Sequence, residues 1–274
     1  IKSIGKILTI ALPIEKKDDE LQSGNIEFKN VNFEYIQGSF KLQNINLLIE
    51  KNTLNAFVGP SGCGKSTIAN LIMGFWDIEN GQINISGKNI SEYSEQSISK
   101  LIGNVQQEAI LFNISIFENI AIGKENATKE EVIEAAKKAR CHDFIEALPN
   151  KYDTKVGEMG VKLSGGEKQR ISIARMILKN APILILDEAM AAVDSENEKL
   201  IEEAINDLSK NKTVITIAHH LNTIKNSNQI IVMNKGVIVD RGTHEELMNR
   251  CNFYQTMVKA QNKVDRWNLK EEVM

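Results

Sequence analysis

The sequence predicts an α/β protein with a mixed, mainly parallel sheet. Two runs of strand length, "PILILD" at 182–187 and "TVITIAH" at 213–219, are apolar on both faces. Such runs are typical of parallel strands that are covered by helices on each side. A glycine-rich segment at 59–67 lies between an apolar run, "LNAFVG", and a helical pattern, as in a strand–loop–helix unit. These observations favour an α/β architecture over an all-helical or all-β one.

Composition sets broad limits on the protein. A chain of 274 residues can form one large domain or two small ones, and 42% hydrophobic with 25% charged residues is ordinary for a globular protein. A net charge of -3 gives no indication of nucleic-acid binding. No apolar run reaches the 18 residues of a membrane helix. Because the chain begins at Ile1, we expect it to be a piece of a longer protein, so this says little about the whole.

The three cysteines, Cys63, Cys141 and Cys251, are scattered along the chain. They show no metal-binding spacing, and their number is odd. A reduced, cytosolic setting is the simplest interpretation.

The N-terminal part predicts a linker followed by antiparallel strands. Residues 1–24 mix apolar residues with "EKKDDE" and are predicted to lead into the domain. From Asn25, "NIEFKNVNFEY" alternates apolar and polar residues, and the alternation changes phase near Asn30, which indicates a bulge. "GQINISG" alternates in the same way through Ile83 and Ile85.

Further along, helical patterns alternate with the apolar strands. "TIANLIMG" predicts a helix that ends at Gly74, and "TKEEVIEAAKKAR" a helix that begins with a capping box of Thr128 and Glu131. "GEKQRISIARMILK" and "SENEKLIEEAINDL" predict two more helices. "QIIVMNKGVIV" predicts a hairpin that turns near Asn234–Gly236. A polar tail follows from about residue 251 and contains Trp267.

The segment 59–67, "GPSGCGKST", fits the phosphate-loop pattern G-x-x-x-x-G-K-[ST]. Successive backbone N–H groups of such a loop bind anions at the positive end of a helix. Lys65 is placed to reach the β- and γ-phosphates of a nucleotide, and Ser66 to offer a hydroxyl to Mg²⁺. The alternative is a chance glycine-rich turn, which the flanking strand and helix disfavour.

A pair of acidic residues follows the buried run "ILIL". Asp187 ends this strand, where a carboxylate can hold Mg²⁺ through water, and Glu188 comes next, where it can orient an attacking water. Alone, the pair "DE" would be an ordinary strand-end acid. Downstream of a phosphate loop, it indicates a hydrolytic site.

Three further side chains are candidates for contact with a nucleotide or its metal ion, and each also has a purely structural interpretation. His219 follows "TVITIA" at the end of a strand, where it could contact a γ-phosphate, although His220 beside it makes the choice of ring ambiguous. Gln107 could meet a metal and the attacking water, although an isolated glutamine is usually a surface residue. Tyr35 could stack on a purine, although an aromatic residue in an alternating strand is more often part of the core.

The stretch "KLSGGEKQR" at 162–170 predicts another helix start suited to an anion. Ser164 and Glu167 have capping-box spacing, and Gly165 and Gly166 leave the backbone N–H groups uncovered. A well-capped helix without a ligand is the structural alternative, and the two are compatible.

The order of these motifs resembles the nucleotide-binding domain of ABC transporters. The phosphate loop, Gln107, "LSGGE", "ILILDE", "AAVD" and "IAHH" occur in the family's order from Asn25 to about Leu247. The segments "TKVGEMG", "FNISIFENI" and "GVIVDRGTHEEL" resemble the exporter branch. The resemblance implies a P-loop NTPase core with an N-terminal antiparallel β subdomain and an inserted α-helical signature subdomain. We predict a linker at 1–24, the ATPase domain at 25–250 with its helical subdomain at about 108–170, and a helical tail at 251–274.

The resemblance also implies roles for particular residues. Tyr35 would stack on the adenine of ATP, Asp187 would bind Mg²⁺ through water, Glu188 would be the general base and His219 would contact the γ-phosphate. Gln107 would join the metal site to the membrane part, and Glu158 would face that part. The residues that would surround the phosphates are Gly59, Ser61, Gly62, Cys63, Gly64, Lys65, Ser66 and Thr67.

In this family, two such domains pair head to tail, which accounts for the two helix starts. The phosphate loop of one domain and Ser164, Gly165, Gly166 and Glu167 of the other would enclose the same ATP, with Asp194 at the seam. Hydrolysis would then lower the affinity between the domains, which would shift the equilibrium from paired to separated domains. The implied partners are a second copy or a related domain and a transmembrane domain in the same chain. The implied location is the cytoplasmic face of a membrane, with no nucleic-acid partner.

Some positions depart from the family pattern. Glu167 replaces a glutamine and adds negative charge near the ATP, while Met159 and His220 replace frequent arginines. "EAMAAVD" replaces the commoner "EATSALD" at the seam. Since no catalytic group is lost, we expect an active ATPase.

Two other functions are alternatives to transport. DNA-repair and chromosome-organising relatives have long coiled coils between the phosphate loop and the signature, whereas here about a hundred residues without sustained heptads separate them. A module that senses nucleotide without turnover conflicts with the presence of Glu188 and His219. Separately, Cys63 is either a reactive thiol beside N–H donors or a small residue that fits the loop.

Overall fold

The computed structural model describes residues 23–36, 38, 40–156, 163–187, 195–217 and 224–271, with side chains for all of these except 195, 196 and 262–271. The strands are Ile26–Glu34 (β1), Lys41–Ile49 (β2), Leu54–Val58 (β3), Asn80–Ile85 (β4), Lys88–Asn89 (β5), Ile102–Val105 (β6), Ile114–Ser115 (β7), Lys155–Val156 (β8), Ile183–Asp187 (β9), Thr213–Ile217 (β10), Gln229–Asn234 (β11) and Val237–Gly242 (β12). The α-helices are Lys65–Ile72 (α1), Glu95–Leu101 (α2), Ile116–Ala121 (α3), Lys129–Lys138 (α4), His142–Glu146 (α5), Gly165–Lys179 (α6), Ser195–Ser209 (α7), His244–Arg250 (α8) and Asn252–Glu271 (α9), with 3₁₀ turns at Ile90–Glu92 and Lys151–Asp153.

A mainly parallel sheet forms the centre of the fold, in the order β12-β11-β3-β10-β9-β6. The pairs from β11 through β3, β10 and β9 to β6 are parallel, and β12 joins β11 antiparallel. Strands β3, β9 and β10 are buried along most of their length. The predicted α/β class is confirmed, because strands that are apolar on both faces lie between layers of other elements.

A second sheet, antiparallel throughout, has the order β2-β1-β4-β5. Its inner faces pack on α1 and the central sheet in one apolar cluster that includes Phe28, Leu42 and Ile68. The predicted bulge is confirmed, since the pairing of β1 with β2 shifts register between Phe28 and Val31, and Asn30 between them has φ 49°. This sheet is the predicted N-terminal β subdomain.

The predicted inserted helical part contains α3, α4, α5 and the start of α6. Helices α3, α4 and α7 pack against α6. The apolar face predicted for α4 is buried through Val132, Ala135 and Ala136, and its capping box of Thr128 and Glu131 is present. Between the phosphate loop and residue 156, the described chain forms short helices and strands rather than a coiled-coil arm.

The C-terminal part closes the far side of the central sheet. The predicted hairpin turn is confirmed, because Lys235 and Gly236 between β11 and β12 both have positive φ, 47° and 82°. Tyr254 of α9 is fully buried in a cluster with Val58 and Ile230. Among the described residues, no helix is long and apolar enough to cross a membrane.

Candidate functional site

The phosphate loop lies between β3, which ends at Val58, and α1, which begins at Lys65. Gly64 caps α1 in a left-handed conformation without a side-chain hydrogen bond, so no side chain covers the first N–H groups of the helix there. Ser61, Gly62 and Ser66 are exposed, and a Cβ atom built on Gly62 would have open space within 4 Å. The loop therefore presents the backbone of Ser61 and Gly62 to solvent at the positive end of a helix.

Lys65 bends back over this loop. Its Nζ atom donates to the carbonyl oxygens of Gly59 at 2.8 Å and Pro60 at 3.2 Å, and only 6% of the residue is exposed. The Sγ atom of Cys63 lies 3.9 Å from the same nitrogen. A lysine ammonium has three donors, so it can also donate to a phosphate oxygen while the two carbonyl contacts hold the charge in position.

The loop is held in place by close backbone contacts with the β11–β12 hairpin. A Cβ atom on Gly59 would come within 2.2 Å of the Met233 carbonyl oxygen, so this position requires glycine. The N–H of Gly236 donates to the carbonyl of Cys63 at 3.1 Å. Cys63 itself is 2% exposed, which fits the interpretation of a small residue packed inside the loop.

Tyr35 follows β1 and stands over α1. Its hydroxyl donates to Oγ1 of Thr67 at 3.3 Å and accepts from Nδ2 of Asn70 at 3.4 Å. The ring is 37% exposed, so it is not part of the core. Edge-to-face contacts place it 4.8 Å from Phe33 and 5.1 Å from Trp76, measured between ring centroids.

The carboxyl ends of the neighbouring parallel strands meet at the same edge of the sheet as the loop. In register, Phe57 of β3 lies beside Ile217 of β10, and Ile217 lies beside Asp187 of β9. Strand β6, on the other side of β9, ends at Val105, and the exposed Gln107 follows it. The structure thus brings Asp187 and the Gln107 segment to the edge where the phosphate loop begins, which is the edge where α/β sheets bind ligands.

Several predicted residues lie outside the described part of the chain. These are Glu188, Asp194, His219 and His220, together with Glu158 and Met159. Their roles therefore stay predictions.

The predicted signature helix α6 begins as the sequence indicated. Ser164 is its N-cap, and the capping box is complete, since the N–H of Ser164 donates to Oε2 of Glu167 at 2.7 Å and the Glu167 N–H donates to Oγ of Ser164 at 3.2 Å. The negative charge of Glu167 is thus directed to its own helix start. Ser164 and Gly165 are exposed, and a Cβ atom on Gly165 would meet no atom within 4 Å.

Helix α6 is joined to the Gln107 segment by a buried side chain. Gln169 is 3% exposed, and its Nε2 donates to the carbonyl of Gln106 at 3.1 Å. One turn and a half later, Arg175 donates to the carbonyl of Asn119 at 2.8 Å and to its Oδ1 at 3.0 Å. Burial lowers the pKa of the Arg175 guanidinium. The segment after β6 and the helix Ile116–Ala121 are therefore each joined to α6 by side-chain hydrogen bonds.

Sequence reasoning missed the residues that support these groups. Gln169, Arg175 and Asn119 act through contacts that span more than 50 positions of the chain, and no local pattern indicates them. Trp76 was also missed; its place two residues after Gly74 was visible in the sequence, but its 50% exposure and its contact with Tyr35 are known only from the structure.

Comparison with known proteins agrees with this geometry. The family model described as ABC transporter matches residues 42–191. Proteins of Staphylococcus aureus strains NCTC 8325 and Mu50, provisionally named multidrug export ATP-binding/permease proteins, are 50% identical over 244 residues, which is 89% of this chain and 42% of theirs. The chain thus spans less than half the length of these relatives.

A solved structure of a bacterial Atm1-family ABC exporter with ATP bound is also similar. The TM-score is 0.86 at 38% sequence identity, over 95% of this chain and 46% of that one. The resemblance to the exporter branch and the predicted fold class are confirmed by these matches. The chain therefore belongs to the ABC transporter family.

Proposed function

We propose that this chain binds and hydrolyses ATP as the nucleotide-binding domain of an ABC exporter, and that it does so in head-to-tail pairs. One observation carries the proposal. The chain has two helix N-termini beside exposed glycine-rich backbone: α1 follows the exposed Gly62 and has no side-chain cap at Gly64, and α6 begins at the exposed Ser164 and Gly165. Two such ends that face each other across a pair would hold one triphosphate from both sides.

In the first half-site, the loop residues Gly62 to Thr67 donate backbone N–H groups to the phosphates. Lys65 supplies its charge to the β- and γ-phosphates from its position above the Gly59 and Pro60 carbonyls. Tyr35, fixed over α1 and exposed on one part of its ring, supplies the surface for the adenine.

The metal site would use Ser66, Gln107 and, through water, Asp187. Ser66 is exposed in the first turn of α1, and Gln107 and Asp187 follow or end neighbouring strands at the edge where the phosphate loop begins, which supports a site with the oxygen donors that Mg²⁺ prefers. A Mg²⁺ ion held by these residues would neutralise charge that develops on the phosphoryl group during transfer. By resemblance, Glu188 takes the proton of the attacking water, and His219 contacts the γ-phosphate.

The second half-site comes from the paired chain. Gly165 and Gly166 would offer their N–H groups and Ser164 its hydroxyl to the γ-phosphate, while the N–H of Ser164 and the carboxylate of Glu167 stay in the capping box and Asp194 would lie at the seam. Loss of the γ-phosphate removes the group that joins the two chains. Hydrolysis would then separate them, which is how the chemistry drives movement.

A transmembrane domain in the same longer chain is the proposed second partner. A groove of about 590 Å³ lies between α2 and α6, and its lining includes Phe75, Ile98, Gln106, Ile110 and Arg175. Phe75 and Ile110 are 65% and 61% exposed, and Phe112 nearby is 52% exposed. Apolar side chains beside the Gln107 segment suit a segment of the membrane part, which would place this domain at the cytoplasmic face.

The test uses the Glu188→Gln chain, which keeps both half-sites but lacks the proposed base. We expect this variant to form a stable dimer with MgATP by sedimentation and no dimer with MgADP. A Glu188→Gln chain that stays monomeric at saturating MgATP would contradict the proposal.

A further inference from the structure

Tyr35 is held from two directions in this structure. Thr67 and Asn70, both on α1, hold its hydroxyl through hydrogen bonds of 3.3 and 3.4 Å. Phe33 and Trp76 hold its ring through edge-to-face contacts with interplanar angles of 85° and 86°. Phe33 and Trp76 also approach each other, at 6.4 Å between centroids. The three rings therefore form one cluster, which we call the Tyr35 ring cluster.

The members of this cluster differ in how firmly they are held. Phe33 is 2% exposed and belongs to the core, whereas Trp76 is 50% exposed. Trp76 lies just after α1, on a turn in which Gly74 has φ 72° and donates to the carbonyl of Leu71 at 3.1 Å. The next N–H, that of Phe75, donates to the carbonyl of Asn70 at 3.1 Å.

Asn70 therefore contacts both Tyr35 and the turn that carries Trp76. Its side chain contacts the Tyr35 hydroxyl, and its backbone carbonyl fixes the turn that carries Trp76. The same short helix presents the phosphate loop at its N-terminus. The position of a base on Tyr35 is thus tied to the position of the phosphates through α1.

We infer that Trp76 is a positioning residue for nucleotide binding, because it holds the Tyr35 ring in the orientation that receives the base. This inference rests on the proposed function. Without Trp76, the ring would keep Phe33 on one side but would lose the contact that limits its rotation on the exposed side. Binding would then have to restrict a freer side chain, and affinity falls by that entropic cost.

The inference predicts a selective defect. An edge-to-face aromatic pair contributes about 0.5–1.5 kcal/mol, which corresponds to about a two- to tenfold change in affinity. The loss should concern ligands that carry a base and should leave the phosphate contacts unchanged. It should also require Tyr35, since Trp76 acts through that ring.

The experiment measures equilibrium binding of two ligands to the 274-residue chain. The ligands are MgATP and magnesium tripolyphosphate, which has no base. The variants are Trp76→Ala, Trp76→Phe, Tyr35→Ala and the double variant Trp76→Ala/Tyr35→Ala. Trp267→Ala, the same kind of substitution at the other tryptophan of the chain, is the matched control. Thermal unfolding of each variant reports whether the fold is kept.

We expect Trp76→Ala to weaken MgATP binding by about two- to tenfold, tripolyphosphate binding to stay unchanged and Trp76→Phe to restore most of the loss. In the Tyr35→Ala background, removal of Trp76 should have no further effect. Equal MgATP affinity of Trp76→Ala and the parent chain, or additive losses in the double variant, would overturn the inference. If the parent chain binds no MgATP, the proposed function itself fails, so the two failures are distinguishable.

Discussion

The side-chain amide of Gln169 donates a hydrogen bond to the carbonyl oxygen of Gln106, at 3.1 Å. This contact joins helix α6 to the segment that carries Gln107. Helix α6 carries the signature, which would act in trans, and Gln107 would act in cis. In the proposed function, this hydrogen bond would link the two half-sites that one chain contributes. Helix α6 and the Gln107 segment are expected to move together when a second chain approaches.

Replacement of Gln169 by Glu tests this link. A carboxylate has nearly the same shape but cannot donate, so the hydrogen bond is lost and the carbonyl of Gln106 faces an acceptor. We expect ATP-dependent dimerisation of the Glu188→Gln chain to weaken by about two- to tenfold, as the loss of about 0.5–1.5 kcal/mol predicts. Binding of MgATP to the monomer should change little. Sedimentation and ligand titration measure the two quantities.

The matched control is Gln82→Glu, the same change at an exposed position of β4. A Gln169→Glu chain that dimerises as well as this control would show that the contact does not link the half-sites.

Substitution of alanine for Gly165 or for Gly166 in the signature should change the free energy of unfolding differently. A Cβ atom on Gly166 would lie 2.8 Å from Cβ and Cγ of Asn197, so Gly166→Ala overpacks a buried contact. We expect it to lower the free energy of unfolding by about 1–3 kcal/mol. Urea unfolding measures this change.

Gly165→Ala is the informative partner of that variant. Because its Cβ atom would meet no atom of this chain within 4 Å, we expect the free energy of unfolding to stay the same or rise by up to about 1 kcal/mol. If Gly165 faces the triphosphate of a second chain, ATP hydrolysis and ATP-dependent dimerisation should nevertheless fall strongly. Normal turnover by a stable Gly165→Ala chain would refute the placement of this glycine against ATP.

Lys65→Met should weaken MgATP binding at the phosphate loop while the protein stays folded. Methionine keeps the buried aliphatic part of the side chain but removes the ammonium that contacts the Gly59 and Pro60 carbonyls. Since hydrogen bonds to charged groups contribute about 1.5–3 kcal/mol, we expect MgATP affinity to fall by at least about tenfold. Calorimetric titration measures the affinity, and circular dichroism the fold. An affinity equal to that of the parent chain would place the phosphates elsewhere.

Alkylation of the cysteines tests whether Cys63 lies beneath the bound phosphates. All three thiols are buried, and burial raises the pKa of Cys141 to about 12, so Cys141 carries almost no thiolate at pH 8. We expect MgATP to slow alkylation of Cys63 and to leave Cys141 as unreactive as before, by mass spectrometry of the digested protein. Labelling of Cys63 at the same rate with and without MgATP would mean that the loop does not hold the nucleotide.

The sequence was informative where a function depends on consecutive residues. The phosphate loop, the capping box of Ser164 and Glu167, and the hairpin at Lys235–Gly236 are each determined by local backbone geometry, and each was predicted. The bulge at Asn30 was visible as a change of phase in the alternation of β1. Local rules suffice there because few distant residues take part.

Contacts between distant parts of the chain could not be predicted. Gln169 and Gln106 are 63 positions apart, and nothing in either neighbourhood selects the other. The carbonyl of Gln106 is a backbone atom, so residue types carry no sign of its partner. Trp76 likewise depends on how α1 packs beneath β1, which only the assembled fold determines.

The central claim is that each active site needs one half from each of two chains. Mixing Lys65→Met chains with Gly165→Ala chains tests it, because a mixed pair contains one site with an intact phosphate loop from one chain and an intact signature from the other. The account predicts little ATP hydrolysis by either variant alone and substantial recovered activity in the mixture, highest near equal amounts. A mixture no more active than its separate components would contradict the claim.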